Sequence, residues 1–303
     1  MFEAFIVAAQ RTAGGRRGGR LAGWHPVDLA AQVINSLVDG VDADPGSIDD
    51  VFMGCVSQVG EQSSNVARNA VLASKLPESV PGTSIDRQCG SSQQAIHFAA
   101  QAVMSGTMDM VIAAGVESMT RVPMGSPGAL AQKAGLGNYH SPAIASRFGE
   151  AMFSQFVGAE MVARKYGLDK EALDRFALQS HQRAAAASKA GWFEREILPV
   201  AVRDASGALT EDMHTVDEGI RFEATLEGIQ NVKLLQEGGL ITAANASQMC
   251  DGASGVLIVN ERGLRRLNVK PLARIHHMTV LGHDPVIMLE APVPATQLAL
   301  KKA

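Results

Sequence analysis

The sequence predicts an α/β fold, and three observations carry that prediction. Short apolar, β-branched runs alternate with stretches of helical spacing through the first two hundred residues, which implies βαβ units and a largely parallel sheet. The chain is an ordinary globular mixture of 303 residues, 46% hydrophobic and 19% charged, with a net charge of -4. That length allows one large or two ordinary domains with a sizeable core. No run of about 18 apolar residues occurs that could span a membrane.

The elements follow in order. Phe5-Ile6-Val7 begins a strand; the apolar run 4–9 is too short for a secretory leader. A glycine-rich turn follows at Gly14, Gly15, Gly18 and Gly19. Leu29, Val33, Ile34 and Leu37 give 28–37 helical spacing. Residues 49–56 read as a strand and 65–74 as a helix, with Asn65 as its N-cap. A short strand at 83–88 leads directly into a long helix over 89–104. The run Met110-Val111-Ile112-Ala113-Ala114 makes 109–116 a buried strand. Residues 119–155, with Pro123, Pro127 and Pro142, read as a long loop excursion, and excursions of that length usually have a function. Helices resume at 158–166 and 170–190, the second with Asp169 as N-cap and Gly191 as stop. Strands are expected at 197–202, 254–259 and 271–281, and a last helix over 294–303.

Composition narrows the function. The mild negative charge argues against nucleic acid as the main partner, because phosphate neutralisation needs clustered Lys and Arg. Aromatics at 5% argue against base-stacking platforms. Three cysteines do not make a disulfide framework and suggest reduced thiols in the cytosol. The eight histidines are scattered, with no i, i+4 pair, so no metal site is expected. The loop 14–20 lacks the Lys-Ser or Lys-Thr ending of a phosphate-binding loop. His283, before Asp284-Pro285, reads as a turn residue rather than a general base.

The stretch Asp86-Arg87-Gln88-Cys89-Gly90-Ser91-Ser92 is the most informative. From Cys89 to Gly106 there is no charged residue, and a helix without charge is normally buried on all sides. Cys89 stands at its expected N-terminus, where unpaired backbone N–H groups and the dipole favour a thiolate nucleophile. On location alone, a small buried structural cysteine is the equal alternative. Cys55 reads as structural, and the 13 methionines as core and tunnel lining.

Four further segments extend the pattern: Arg11-Thr12 before the glycine-rich stretch, Gly115-Val116-Glu117-Ser118-Met119, Ile241-Thr242-Ala243-Ala244-Asn245-Ala246-Ser247 with Asp251-Gly252-Ala253, and Gly282-His283-Asp284-Pro285 with Met288 and Pro292-Val293-Pro294-Ala295. In this order, with the Cys89 segment, they resemble the thiolases, which join or cleave acyl groups on coenzyme A. The resemblance covers essentially the whole chain. It implies a layered α/β/α thiolase fold: a core of 1–118 and 251–270, a loop domain over 119–250 with coenzyme A-binding segments, and the beginning of a C-terminal domain over 271–303. It implies Cys89 as the acylated nucleophile and Ser247 and Ala243 along the pantetheine arm. Arg221 would lie against adenine and Met288 in the acyl pocket. Acyl-CoA and coenzyme A would be substrates, with no tightly bound cofactor, in a cytoplasmic homodimer or tetramer of lipid metabolism.

Departures from the family pattern carry expectations of their own. Ser92 and Ala244 stand where glycine is usual, and Cys250 where Asn or Ser is common. Ser154-Gln155-Phe156 replaces the His-Met pair of short-chain biosynthetic thiolases, which points to a different or bulkier acyl group. Family motifs carrying the activating histidine and a second, acid/base cysteine are missing, so the chain reads as C-terminally truncated relative to the family. The 303-residue chain alone is therefore expected to lack turnover, and one apolar face of helix 89–104 to be uncovered. A non-catalytic thiolase-like subunit or coenzyme A-binding protein is the alternative. A ketoacyl-synthase-type enzyme fits less well, given Asn245-Ala246-Ser247 and Asp251-Gly252-Ala253.

Overall fold

A computed structural model of the chain describes residues 2–149, 153–204 and 206–303. Two compact units emerge. The first holds Met1–Leu130, Phe193–Gly219 and Met249–Ile275; the second holds Ala131–Trp192, Ile220–Gln248 and His276–Ala303. The chain opens with β1 (Phe5–Thr12), β2 (Gly15–Arg16), α1 (Pro26–Asp39), β3 (Asp50–Gly54) and α2 (Val66–Ala73). Next come β4 (Gly82–Ile85), α3 (Ser91–Ser105) and β5 (Met110–Ser118). Four helices follow: α4 (Ser126–Lys133), α5 (Pro142–Phe148), α6 (Gln155–Lys165) and α7 (Lys170–Lys189). Then come β6 (Ile197–Leu198), β7 (Val200–Arg203), β8 (Leu209–His214) and α8 (Leu226–Gln230). The remainder is β9 (Cys250–Val259), α9 (Glu261–Leu267), β10 (Ala273–Arg274) and α10 (Pro292–Lys302).

The first unit is built on a sheet of order β10-β1-β9-β5-β3-β4, with β2 on β9 and β6 on β1. β3 runs parallel to both β4 and β5, as helical crossovers require. The sheet is nevertheless mixed rather than largely parallel. β9 lies antiparallel between β1 and β5, with Ile258 opposite both Ile6 and Val111. It re-enters after the long excursion, so no crossover helix dictates its direction. β5 is buried along almost its whole length, which is why it reads as an unbroken apolar run. Its Met110, Ile112, Ala114 and Val116 join Leu29, Val33, Ile34 and Leu37 of α1 and Ala67, Ala70 and Val71 of α2 in one core. The alternate residues face α3, whose Ala95, Ala99, Ala100 and Val103 are buried.

Several sequence expectations change. α3 is buried on one side and uncovered on the other, as expected of a chain of this length, but the uncovered face is mostly polar rather than apolar: Ser92, Gln93, Phe98, Gln101 and Ser105 are exposed, Phe98 at 41%. Ser and Gln keep a helix face free of charge without being core residues. The excursion 119–155 contains two short helices, and Pro142 starts α5 behind the N-cap Ser141 rather than breaking it. The expected strand 271–281 shrinks to Ala273–Arg274. β1 offers β10 only Phe5 and Ile6, while β6 takes the edge at Arg11 and Thr12. Segment 193–219 lies within the expected 119–250 loop domain, yet it packs with the first unit. Besides the β6 ladder, Glu196 and Asp217 each pair with Arg11 at 2.7 Å. Among the described residues no helix is long and apolar enough to cross a membrane.

Candidate active site

The three cysteines occupy three environments. Cys55 is buried just after β3, where burial, then the Glu117 and Asp86 carboxylates, push its thiol up to about 12. Cys250 is half-buried at the start of β9, and burial, then Asp251 and Asp217, raises its thiol as well. Both are therefore held as thiols at neutral pH. Cys89 alone is exposed.

The turn between β4 and α3 presents Cys89. The helix begins two residues later than its sequence suggests, because Gly90 is the N-cap. Gln88 has a left-handed φ of 48°, an uncommon backbone for a residue with a side chain. The turn is held on both sides of it. The Gln88 N–H donates to Asp86 Oδ1 at 2.8 Å, and Ser91 Oγ donates to the Gln88 carbonyl at 2.6 Å while accepting from the Arg87 N–H at 2.9 Å. Cys89 thus sits just outside the N-terminus of a 15-residue helix, the end that favours an anion. Close strand–helix contact fixes this start. A Cβ on Gly54 would collide with the backbone of Ser91 and Ser92, and one on Gly115 would lie 2.6 Å from Ser92 Cβ. The serine at 92 fits because both facing strands carry glycine there.

The Thr242–Ser247 segment belongs to the second unit and hangs on two buried carboxylates. Glu160 of α6, 5% exposed, accepts from the Leu240 and Ile241 N–H groups at 2.7 and 3.0 Å. Asp174 of α7 is fully buried; its Oδ1 accepts from Asn245 Nδ2 at 3.0 Å and its Oδ2 from Lys170 Nζ at 2.5 Å. Asn245 also closes the loop on itself, donating to the Leu240 carbonyl at 3.1 Å and accepting from the Thr242 N–H at 2.8 Å. Thr242, fully buried, accepts from the Ala244 and Asn245 N–H groups at 3.1 and 3.3 Å. With Thr242 and Asn245 turned to the protein, Ala243 and Ser247 are left exposed. Ala244 is not among the residues of positive φ, so alanine costs no backbone strain where the family carries glycine.

Arg221 and Met288 also lie in the second unit. Arg221 is exposed in a turn closed by Ala224, and its N–H donates to His181 Nδ1 at 3.2 Å. Burial, then the Arg221 charge, lowers the His181 pKa, which keeps that ring nitrogen free to accept. Met288 is half-buried at a left-handed φ of 22°. Of the five sequence-derived site residues, Cys89 belongs to the first unit and the other four to the second. The loop 14–20 is no anion cradle. Its N–H groups at Gly14, Arg16 and Arg20 already serve the Asp217 and Glu218 carboxylates.

Residues 4–262 match the family model of the thiolase N-terminal domain. The chain belongs to the thiolase family. It is 47% identical to a steroid 3-ketoacyl-CoA thiolase of Mycobacterium tuberculosis, over all of this chain and 73% of that protein. It is 42% identical to a 3-ketoacyl-CoA thiolase of Erwinia tasmaniensis, again over all of this chain and 76% of the relative. Among solved structures, the acetyl-CoA acetyltransferase of Bacillus anthracis aligns with a TM-score of 0.87 at 31% identity, covering 100% of this chain and 76% of that one. Human mitochondrial 3-ketoacyl-CoA thiolase aligns with a TM-score of 0.83 at 32% identity, covering 99% and 76%. By family this thiolase is an acyltransferase of the α/β class, and it spans about three quarters of the length of these relatives.

Sequence reasoning missed Glu160, Asp174 and Glu290. Each is a carboxylate on or beside a helix, the residue type most often solvated. Only Asn245, an amide in a tight loop that needs a buried acceptor, hinted at one of them.

Proposed function

We propose that this thiolase cleaves 3-ketoacyl-CoA by thiolysis, or runs the reverse Claisen condensation of acetyl-CoA, with Cys89 as nucleophile. The observation that carries this reading is the exposed Cys89 just before the N-terminus of α3, while Cys55 and Cys250 are held as thiols. In the cleavage direction the Cys89 sulfur attacks the C3 ketone carbon. The C2–C3 bond breaks, and C2 takes a proton and leaves as acetyl-CoA. The thiolate of a second coenzyme A then attacks the acyl-cysteine, which forms a shortened acyl-CoA and returns the Cys89 thiolate. Ala243 and Ser247 line the pantetheine arm, and their exposure on a loop pinned from beneath supports this. Arg221 stacks on adenine by cation–π attraction, and Met288 lines the acyl pocket. Coenzyme A is a substrate, and no cofactor is tightly held.

The acyl group is bulkier than acetyl, supported by Ser154-Gln155-Phe156 at the start of α6 and by the likeness to a steroid thiolase. Residues 119–250 serve as the loop domain, within which 193–219 returns to pack on the first unit, and 271–303 as the opening of a second thiolase half, in a cytoplasmic homodimer or tetramer. The activating histidine and second cysteine of the family lie in motifs absent from these 303 residues. The chain by itself therefore has no significant turnover, and a thiolysis assay at family-like rates would overturn that. A non-catalytic thiolase-like subunit or coenzyme A-binding protein is the second reading. Mass spectrometry after incubation of a full-length chain with acyl-CoA separates the two. An adduct on Cys89, lost in Cys89→Ala, supports the enzyme, and no adduct supports the subunit.

A further inference from the structure

Glu290 is 6% exposed, yet it lies beside the C-terminal end of α6, where the helix dipole opposes a negative charge. Three donors converge on it. Lys165 Nζ lies 2.6 Å from Oε1, the Tyr166 hydroxyl donates to the same oxygen, and His283 Nε2 lies 3.0 Å from Oε2. His283, then Lys165 and Tyr166, hold the carboxyl at about 2, so it is ionised throughout the neutral range. Lys165 and Tyr166 end α6, while His283 and Glu290 bracket a turn whose strained member is Met288, at φ 22°.

That turn is gripped elsewhere too. Asp284 Oδ1 accepts from the Val286 N–H at 2.8 Å, and the Asp284 carbonyl accepts from the Met288 N–H at 3.1 Å. At the other end of α6, a Cβ on Gly158 would stand 2.9 Å from the Ile287 carbonyl oxygen and 3.3 Å from Met288 Cγ. The 284–290 turn is thus laid along α6, touching it at Gly158 and tied to it at Lys165 and Tyr166. A side-chain residue at positive φ persists only where its surroundings hold it. Here the turn's own Asp284 holds it from within, and Gly158 and the Glu290 carboxylate hold it against α6.

We infer that Glu290 is a positioning residue that sets acyl-chain selectivity by holding the strained Met288 turn against α6. This rests on the reading of Met288 as acyl-pocket lining. Glu290 need not touch substrate; losing its charge releases the end of the turn and leaves Met288 free to relax toward ordinary backbone angles. Coenzyme A itself, which has no acyl chain, does not report on the turn.

The test is calorimetric titration of the full chain with coenzyme A, acetyl-CoA and octanoyl-CoA. Wild type, Glu290→Gln, Glu290→Ala and Met288→Ala are compared, with circular dichroism as a fold check. Glu290→Ala should lower the octanoyl-over-acetyl preference about 10-fold, the scale of a misfitted apolar pocket, while the Kd for coenzyme A stays within about 2-fold. Glu290→Gln keeps the shape and one acceptor but loses the charge, so it should lower the preference by a smaller factor than Glu290→Ala. If Met288→Ala shifts the preference and both Glu290 variants leave it at the wild-type value, the inference fails and the acyl-pocket reading stands. If Met288→Ala changes nothing, that reading fails and the inference falls with it. Equal weakening of all three ligands in a folded Glu290→Ala marks a merely structural role and also overturns the inference.

Discussion

Replacing Asp174 with alanine tests whether the loop proposed to bind coenzyme A depends on a buried carboxylate. The side chain is fully buried, and its bond to Asn245 Nδ2 is charge-assisted at 3.0 Å. Hydrogen bonds of that kind contribute about 1.5–3 kcal/mol. Lys170 loses a partner too, but it is 28% exposed and keeps the Gln230 carbonyl at 3.2 Å, so water compensates most of its loss. The expected cost is about 2–3 kcal/mol, read as a lower urea midpoint. Asn245 would keep only the Leu240 carbonyl for its amide. The loop loosens, and coenzyme A binding should weaken about 10-fold, the equivalent of about 1.4 kcal/mol. A double-mutant cycle of Asp174→Ala with Asn245→Ala isolates the pair and should return a coupling above about 1 kcal/mol. Strict additivity, with unchanged coenzyme A affinity in Asp174→Ala, would refute the reasoning.

Other outcomes follow from the same geometry. Iodoacetamide at neutral pH should label Cys89 first and leave Cys55 untouched until the chain unfolds, as read by peptide mass spectrometry; early Cys55 labelling contradicts its burial and a thiol at about 12. Gly115→Val should cost about 1–3 kcal/mol of stability by overpacking Ser92. By contrast Gly128→Ala in α4, where a Cβ meets nothing within 4 Å, should be neutral or stabilising by up to about 1 kcal/mol. Glu290 titrates at about 2 in the folded chain, below its ordinary 4.5, so its contribution is full above 4.5 and is lost as pH falls toward 2. Glu290→Gln should flatten acid unfolding across that window, and an unchanged slope counts against the clamp.

Much of the fold was legible because local signals agreed with one another. Asp169 caps α7 through the Ala172 N–H at 2.8 Å, and Asn65 caps α2 through the Arg68 N–H at 3.2 Å, as their sequence positions imply. β5 announced itself by an apolar run too dense for a half-exposed strand. What stayed hidden was set at long range. Strand direction leaves no periodicity, so the reversal of β9 could not be read. The run 278–281 has strand-like residues yet lies outside any strand. Cys89 and the exposed loop residues came from motif order, whereas Glu160 and Asp174 act on a loop some 70–80 residues away in sequence.

The position of β9 has a consequence for how the protein is made. This strand joins β1 to β5 at the middle of the sheet, yet a ribosome reaches it only after some 130 residues of other structure. At about 5–20 residues per second, that delay is on the order of ten seconds. Throughout it, β1 and β5 have no ladder between them, and each presents an unpaired edge to the cell. Pairing across such a sequence separation is slow, because loop closure precedes any gain from contact. The nascent first unit therefore needs holding by a chaperone or by its own helices, and a fragment ending before Cys250 should be recovered as aggregate.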